Sequence, residues 1–158
     1  MSAVSIWRAE RHEAEAITRL LIAFRDHIGR EWPHEDAFRT GIERLLTADD
    51  CDFLLAARAH GASAEAVCQL RYHFSVWRDG QECILEDLYV DEQARRAGLG
   101  AALVAGALQR ARERDCRWIE LDTYEDNAPA IALYESYGFR VGRSGDKRDV
   151  VLSRQLEP

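Results

Sequence analysis

Glu86-Asp87-Leu88-Tyr89-Val90, followed by Arg95-Arg96-Ala97-Gly98-Leu99-Gly100, is the stretch that decides how this 158-residue chain reads. An apolar strand runs into a basic, glycine-bearing loop, and the loop opens a helix at 98–101. The first amides of a helix have no partner inside it and point at whatever lies ahead of them. Aligned peptide dipoles add partial positive charge at that end, so a bound anion is favoured. Glycine at 98 and 100 carries no Cβ to keep a diphosphate away from the backbone. The stretch predicts a phosphate seat built chiefly from the backbone amides of residues 96–101, with the Arg95 and Arg96 side chains secondary.

Working outward, residues 4–8 read as a short first strand. Ile17, Leu20, Leu21 and Phe24 recur at i, i+3, i+4 and i+7, which predicts an amphipathic helix over 12–28 that stops at Gly29. A second helix is expected over 35–46, with Phe38, Ile42, Leu45 and Leu46 inward. Strands follow at 53–59, 65–77 and 83–90. A turn lies at 60–63, and an Asp-Gly hairpin signal at 78–81. Leu99, Leu103, Ala107 and Ala111 stripe a helix over 99–114. Residues 117–123 read as a strand, 128–137 as a helix capped by Gly138, and 139–142 and 149–153 as strands completing the sheet. Neither linkers nor repeats interrupt this order, so residues 1–158 read as a single α/β domain: a mixed sheet with helices on both faces.

The late helix carries a second pattern, Asn127-Ala128-Pro129-Ala130-Ile131-Ala132-Leu133-Tyr134-Glu135-Ser136-Tyr137-Gly138-Phe139. Asn127 is a good N-cap and Pro129 suits a first helical turn. Positions 127, 130 and 134 share one helical face. An amide, a small residue and a phenol there are an unusual choice for a helix that only packs.

Arg95-x-x-Gly98-x-Gly100 and Asn127-x-x-Ala130-x-x-x-Tyr134-x-x-x-Gly138-Phe139 resemble, in order and separation, two hallmarks of the GNAT acetyltransferases. The resemblance covers roughly residues 50–153; the N-terminal part matches only in coarse pattern. It implies a mostly antiparallel central sheet flanked by helices, acetyl-CoA as co-substrate, and transfer of an acetyl group to an amine by direct attack in a ternary complex. It also implies roles for residues. The loop of Arg95, Arg96, Ala97, Gly98, Leu99, Gly100 and Ala101 would hold the coenzyme A pyrophosphate. The backbone of Leu88, Tyr89 and Val90 would pair with pantetheine, and a backbone N–H near Leu88 would meet the oxyanion. Asn127 would bond the pantetheine or pyrophosphate region, Ala130 would let the cofactor pass, and Tyr134 would face the thioester sulfur and protonate the departing thiolate.

The amine must lose a proton, and a free alkylamine has a pKa near 10. Glu86 is the candidate base, directly or through a water, because a carboxylate in an apolar strand should have a raised pKa. Leu85-Glu86-Asp87-Leu88-Tyr89-Val90 is also similar to a segment of the polyamine acetyltransferases in which the Glu assists deprotonation; Asp87 is the understudy. The plainer alternative is that either carboxylate pairs with an arginine at a strand end, and that Tyr134 is a packing aromatic. In this fold the acceptor pocket is usually built by the first two helices, their linker and the late strands, so Arg25, Asp26, His27, Glu31, Trp32, Tyr72, Trp77 and Tyr124 are candidates for it.

Composition bounds the rest. Apolar residues make up 47% and charged residues 31%, which suits a folded enzyme and excludes a disordered chain. A formal net charge of −7 argues against non-specific nucleic-acid binding and mildly favours a cationic acceptor. Cys51, Cys68, Cys83 and Cys116 show no C-x-x-C pair and read as buried reduced thiols, which fits a cytoplasmic protein. No signal-type core and no bilayer-length apolar run is present, and the histidines lack metal-ligand spacing, so no membrane or metal is expected. Dimerisation is common in the resembled fold. A dinucleotide-binding unit is the rival fold, but Leu103 stands where its third glycine belongs and residues 91–97 lengthen the turn. A non-catalytic CoA-binding sensor is the rival function, and acylation of protein N-termini is the same chemistry on another acceptor.

Overall fold

The computed structural model describes residues 3–144 and 147–157. Ile17, Leu20 and Leu21 of the first stripe are all buried, on helix α1 (Ala14–His27). A 3-10 turn at Arg11–Glu13 leads into it, tied by the Trp7 indole N–H donating to Glu13 at 2.8 Å. Helix α2 (Glu35–Leu45) buries Ile42. The stripe Leu99, Leu103, Ala107 and Ala111 is buried along α3 (Leu99–Glu113), and α4 (Ala128–Ser136) begins at Asn127.

Strands β1 (Ser5–Arg8), β2 (Cys51–Ala57), β3 (Ala66–Ser75), β4 (Gly80–Val90) and β5 (Cys116–Glu120) form one sheet in sequential order. The first three pairings are antiparallel and β4 pairs β5 in parallel. This mostly antiparallel sheet matches the architecture expected and excludes the parallel dinucleotide-binding sheet. One face packs on α3 through Leu54, Cys68, Leu70 and Leu85, and the other on α1 and α2 through Phe53, Leu55, Val67 and Tyr89. Burial on both faces explains why β2 is wholly buried and reads as a continuous apolar run. The Asp-Gly signal lies at the β3–β4 connection, but Gly80 pairs with Ser75 and opens β4, so the hairpin loop is longer than a two-residue turn.

The expected strands at 139–142 and 149–153 do not complete this sheet. Residues 139–142 and 149–157 carry no strand, and a separate two-stranded ribbon joins β6 (Arg143–Ser144) to β7 (Lys147–Arg148). A strand is held by a buried face, and Val141, Val150, Val151 and Leu152 are all exposed.

Helix α3 is fastened to the sheet by a buried carboxylate. Asp52, 7% exposed, accepts from the Tyr72 hydroxyl at 2.9 Å and from Arg110 Nε at 2.7 Å. Arg8 and Arg114 stand within 4.0 Å of it, and the Arg114 guanidinium covers the Tyr72 ring. Asp52→Ala strips a buried hydroxyl and a half-buried guanidinium of their shared acceptor. The expected loss is about 3 kcal/mol, read as a lowered urea midpoint at unchanged slope.

Candidate functional site

The site begins where the sheet stops being paired. β4 bonds β5 only from Gln81 to Ile84, opposite Cys116 to Glu120, and then runs on to Val90. Over residues 85–90 its second edge has no strand partner among the described residues, so the N–H and C=O groups that point to it, apart from the Val90 carbonyl held by Arg95, are available to a ligand. Leu88, Tyr89 and Val90 lie on that edge. Leu88 and Val90 pack toward α3, and Tyr89 toward α1, where it stacks on Phe24 with ring centroids 5.5 Å apart.

The edge leads into the turn before α3. Arg96 has φ 64° and Gly98, the helix N-cap, φ 83°. Both left-handed residues belong to the turn that feeds the helix start. The first bond of the helix is Ala102 N–H to Gly98 O, which leaves the amides of Leu99, Gly100 and Ala101 ahead of it. A Cβ on Gly98 would meet nothing within 4 Å, so conformation requires glycine there and the space in front stays open. At Gly100 a Cβ would come to 3.4 Å from Leu133 of α4 and 3.9 Å from Val90, which places the seat between β4, α3 and α4. Arg95 is turned back: its Nε donates to the Val90 carbonyl at 3.3 Å and its guanidinium sits 6.0 Å from the Tyr89 ring centre. Unbonded amides at a helix start, with open space at Gly98, are what a diphosphate needs, so the residues present fit one.

Asn127 caps α4, its side chain accepting from Ala130 N–H at 3.4 Å and donating to the Thr123 hydroxyl at 3.4 Å. Tyr134 stands two turns beyond Asn127, edge-on to Phe139. Burial pushes its phenol up to about 12, with Cys68 of β3 as its electrostatic neighbour. Cys68 is the cross-strand partner of Leu88, so Tyr134 approaches the open edge from the α3 side. Its hydroxyl has no hydrogen-bond partner among the described residues.

Glu86 comes to the same edge from the other side. Gln69 pairs with Asp87 and Leu70 with Leu85, which leaves Glu86 as the extra residue of a β-bulge. Its carboxylate accepts from Gln69 Nε2 at 2.7 Å, and that nitrogen lies 4.0 Å from Cys51 Sγ in the α1–α2 core. Partial burial raises the Glu86 pKa; Arg71 opposes this, while Asp87 and Asp50 add to it. Asp87 is raised as well, by burial and then by Asp122. Among the described residues no ion pair joins Glu86 or Asp87 to an arginine at the strand end; Arg71 pairs with Asp50 instead.

The acceptor candidates divide. His27 lies beside Tyr89, ring centres 6.3 Å apart, and Arg25 holds the α1–α2 linker by donating to the Pro33 carbonyl at 2.7 Å. Tyr72 belongs to the Asp52 cluster under α3, and Trp77, 94% exposed, sits on the β3–β4 loop, so neither is at the open edge. No sequence motif singles out Gln69. The only signal was a polar residue inside the apolar run Val67-Cys68-Gln69-Leu70. Cys51, Cys68 and Cys83 are buried free thiols, and burial pushes Cys51 and Cys83 up to about 12, far from a reactive thiolate. Among the described residues no cluster of His, Cys, Asp or Glu could hold a metal, and no helix is long and apolar enough to cross a membrane.

Known proteins resemble this chain in sequence and fold. Residues 14–139 match the model of the acetyltransferase (GNAT) family. A mycothiol acetyltransferase of Corynebacterium aurimucosum is 27% identical over 135 residues, 74% of this chain and 44% of that protein. The N-alpha-acetyltransferase 30 of Xenopus laevis is 38% identical over 73 residues, 46% of this chain and 26% of the relative. The chain thus spans less than half the length of these relatives. A crystal structure of "a probable acetyltransferase" superposes with a TM-score of 0.85 at 28% identity, covering 97% of this chain and 99% of the other. The aminoglycoside N-acetyltransferase AAC(6')-Iy, solved in complex with CoA, shares the fold at a TM-score of 0.76 and 21% identity, over 98% of this chain and 96% of its own. An open β4 edge leading into an amide-lined turn, together with a family match across 14–139, settles the lineage: this chain belongs to the acetyltransferase (GNAT) family.

Proposed function

We propose that the protein transfers an acetyl group from acetyl-CoA to the primary amine of a small molecule, polyamine-like or amino-acid-like, with both substrates bound at once. The observation that carries this reading is the unpaired β4 edge over 85–90 running into the turn before α3. Acetyl-CoA supplies the acetyl thioester. Amides of residues 96–101 bind its diphosphate, and the free edge at Leu88, Tyr89 and Val90 hydrogen-bonds its pantetheine arm. Asn127 and Ala130 border the arm from α4. Glu86 takes the amine proton, directly or through a water, from the α1–α2 side. The neutral amine attacks the carbonyl, an N–C bond forms, and an N–H near Leu88 stabilises the oxyanion. The C–S bond then breaks, Tyr134 gives its proton to the thiolate from the α3 side, and the attacking nitrogen gives up its second proton, which passes through water to the tyrosinate and restores the phenol. The burial that disfavours the phenolate disfavours a thiolate in the same place, which narrows the gap between the two groups. The setting is cytoplasmic, where the four free thiols stay reduced. The similarity to N-alpha-acetyltransferase 30 supports a second reading, in which the amine is a peptide N-terminus.

Thiol release from acetyl-CoA across polyamines, aminoglycosides, amino acids and N-terminal peptides tests this directly. Acceptor-dependent release is expected; tight acetyl-CoA binding without release from any acceptor would leave a CoA sensor instead. Glu86→Gln checks the base. A raised carboxyl pKa means that wild-type activity falls as pH drops through a value above 4.5. The variant must wait for the amine to deprotonate itself near pH 10, so its rising limb is expected to move toward alkaline pH. A wild-type profile in Glu86→Gln assigns the base elsewhere.

A further inference from the structure

We propose that Gln69 is a positioning residue of the reaction, holding the Glu86 carboxylate at the open edge of β4 in the orientation that receives the acceptor's proton. This rests on Glu86 being the base. Three observations carry it. Gln69 is 6% exposed, and a buried amide keeps its place in a strand only with partners for its polar atoms. Its Nε2 donates to Glu86 Oε2 at 2.7 Å, the short distance of a bond to a charged acceptor. An ionised carboxylate only accepts, so the amide must present its NH2 group to it. Finally, the bulge displaces Glu86 out of register by one residue, which brings it within reach of Gln69 although Gln69 is paired with Asp87.

A bulged residue lacks the cross-strand neighbours that hold an ordinary strand side chain in one rotamer. Glu86 is exposed on its open side, and without an anchor its carboxylate would swing among solvated rotamers. The Gln69 amide supplies that anchor while leaving Oε1 for the amine or its bridging water. Donation to the charged form also favours ionisation, against the burial that disfavours it. The other charged or titratable groups facing Glu86 are Arg71 and Cys51 from the neighbouring strands, Asp50 before β2, and Asp87 on its own strand. Arg71 donates through Nη2 to Asp50 at 3.1 Å and its buried Nε bonds nothing, so among the described residues Gln69 is the donor that holds the Glu86 carboxylate.

The test compares Gln69→Met, which keeps volume and removes the donor, with Gln69→Glu, which sets a second carboxyl where the donor was. Carbon-13 titration of the Glu86 carboxyl, assigned with Glu86→Gln, gives its pKa without recourse to activity, and kcat/KM against pH gives the kinetic limb. Losing a hydrogen bond to the charged form should raise both by about one pH unit in Gln69→Met. In Gln69→Glu they should rise further, because two carboxyls at that distance share a proton. A structural role alone predicts lower stability and unchanged values in both readouts; a Glu86 titration that does not move in Gln69→Met overturns the proposal. A titration that moves while the kinetic limb stays still removes Glu86 as base, and with it the catalytic role of Gln69.

Discussion

Tyr134→Phe lowers turnover by about 10–1000-fold while acetyl-CoA affinity stays close to the wild-type value, the pattern of an acid used only in the chemical step. The substitution keeps the ring, its edge-on contact with Phe139 and the helix that carries it. Only the hydroxyl is lost, and no described residue hydrogen-bonds that hydroxyl, so the fold loses no polar contact. Burial pushes the phenol up to about 12, so its proton is in place throughout the neutral range. Any alkaline loss of activity owed to Tyr134 itself therefore falls near that value. Steady-state kcat beside calorimetric affinity checks the split. Turnover equal to wild type takes Tyr134 out of the mechanism and leaves it as a packing aromatic.

Gly100→Asp weakens acetyl-CoA binding by about 100-fold or more while leaving the protein at least as stable. A carboxylate in the first turn of α3 is favoured by the helix dipole by about 0.3–1 kcal/mol, so folding does not suffer. The same charge occupies the amides that would receive a diphosphate and repels it. The added Cβ makes van der Waals contact with Leu133 and Val90, so the side chain can be built without tearing α4 from α3. Gly100→Ala is the control: it adds the Cβ without the charge. Calorimetric titration with CoA alongside thermal unfolding separates the two effects. Unaltered affinity in Gly100→Asp would sink the phosphate seat and the reading built on it.

Patterns set by near neighbours along the chain carry over into the fold. The stripe Leu99, Leu103, Ala107, Ala111 was legible because helical periodicity is short-range, and all four positions are buried. Asn127 was legible as a cap for the same reason, and it caps α4. The turn before α3 needed only its glycine and the helix start. Residues 139–142 and 149–153 misled, because strand-like apolar pairs say nothing about whether a sheet edge will take them. Tyr72 misled in another way: an aromatic in a strand can serve either face and either end, and here it serves the Asp52 cluster.

What the sequence by itself determined is the local frame: the helices and their buried stripes, the strands up to their ends, the amide-lined turn, and the family resemblance carried by the motifs around 95–100 and 127–139. Tertiary structure alone decided where β4 loses its partner, that the bulge singles out Glu86, that Gln69 of β3 bonds it, and that Glu86 and Tyr134 approach one edge from opposite sides of the sheet. The division has one physical cause. Periodicity, capping and turn conformation are settled within a few residues, whereas register, bulges and unpaired edges are settled by where distant strands run out of one another.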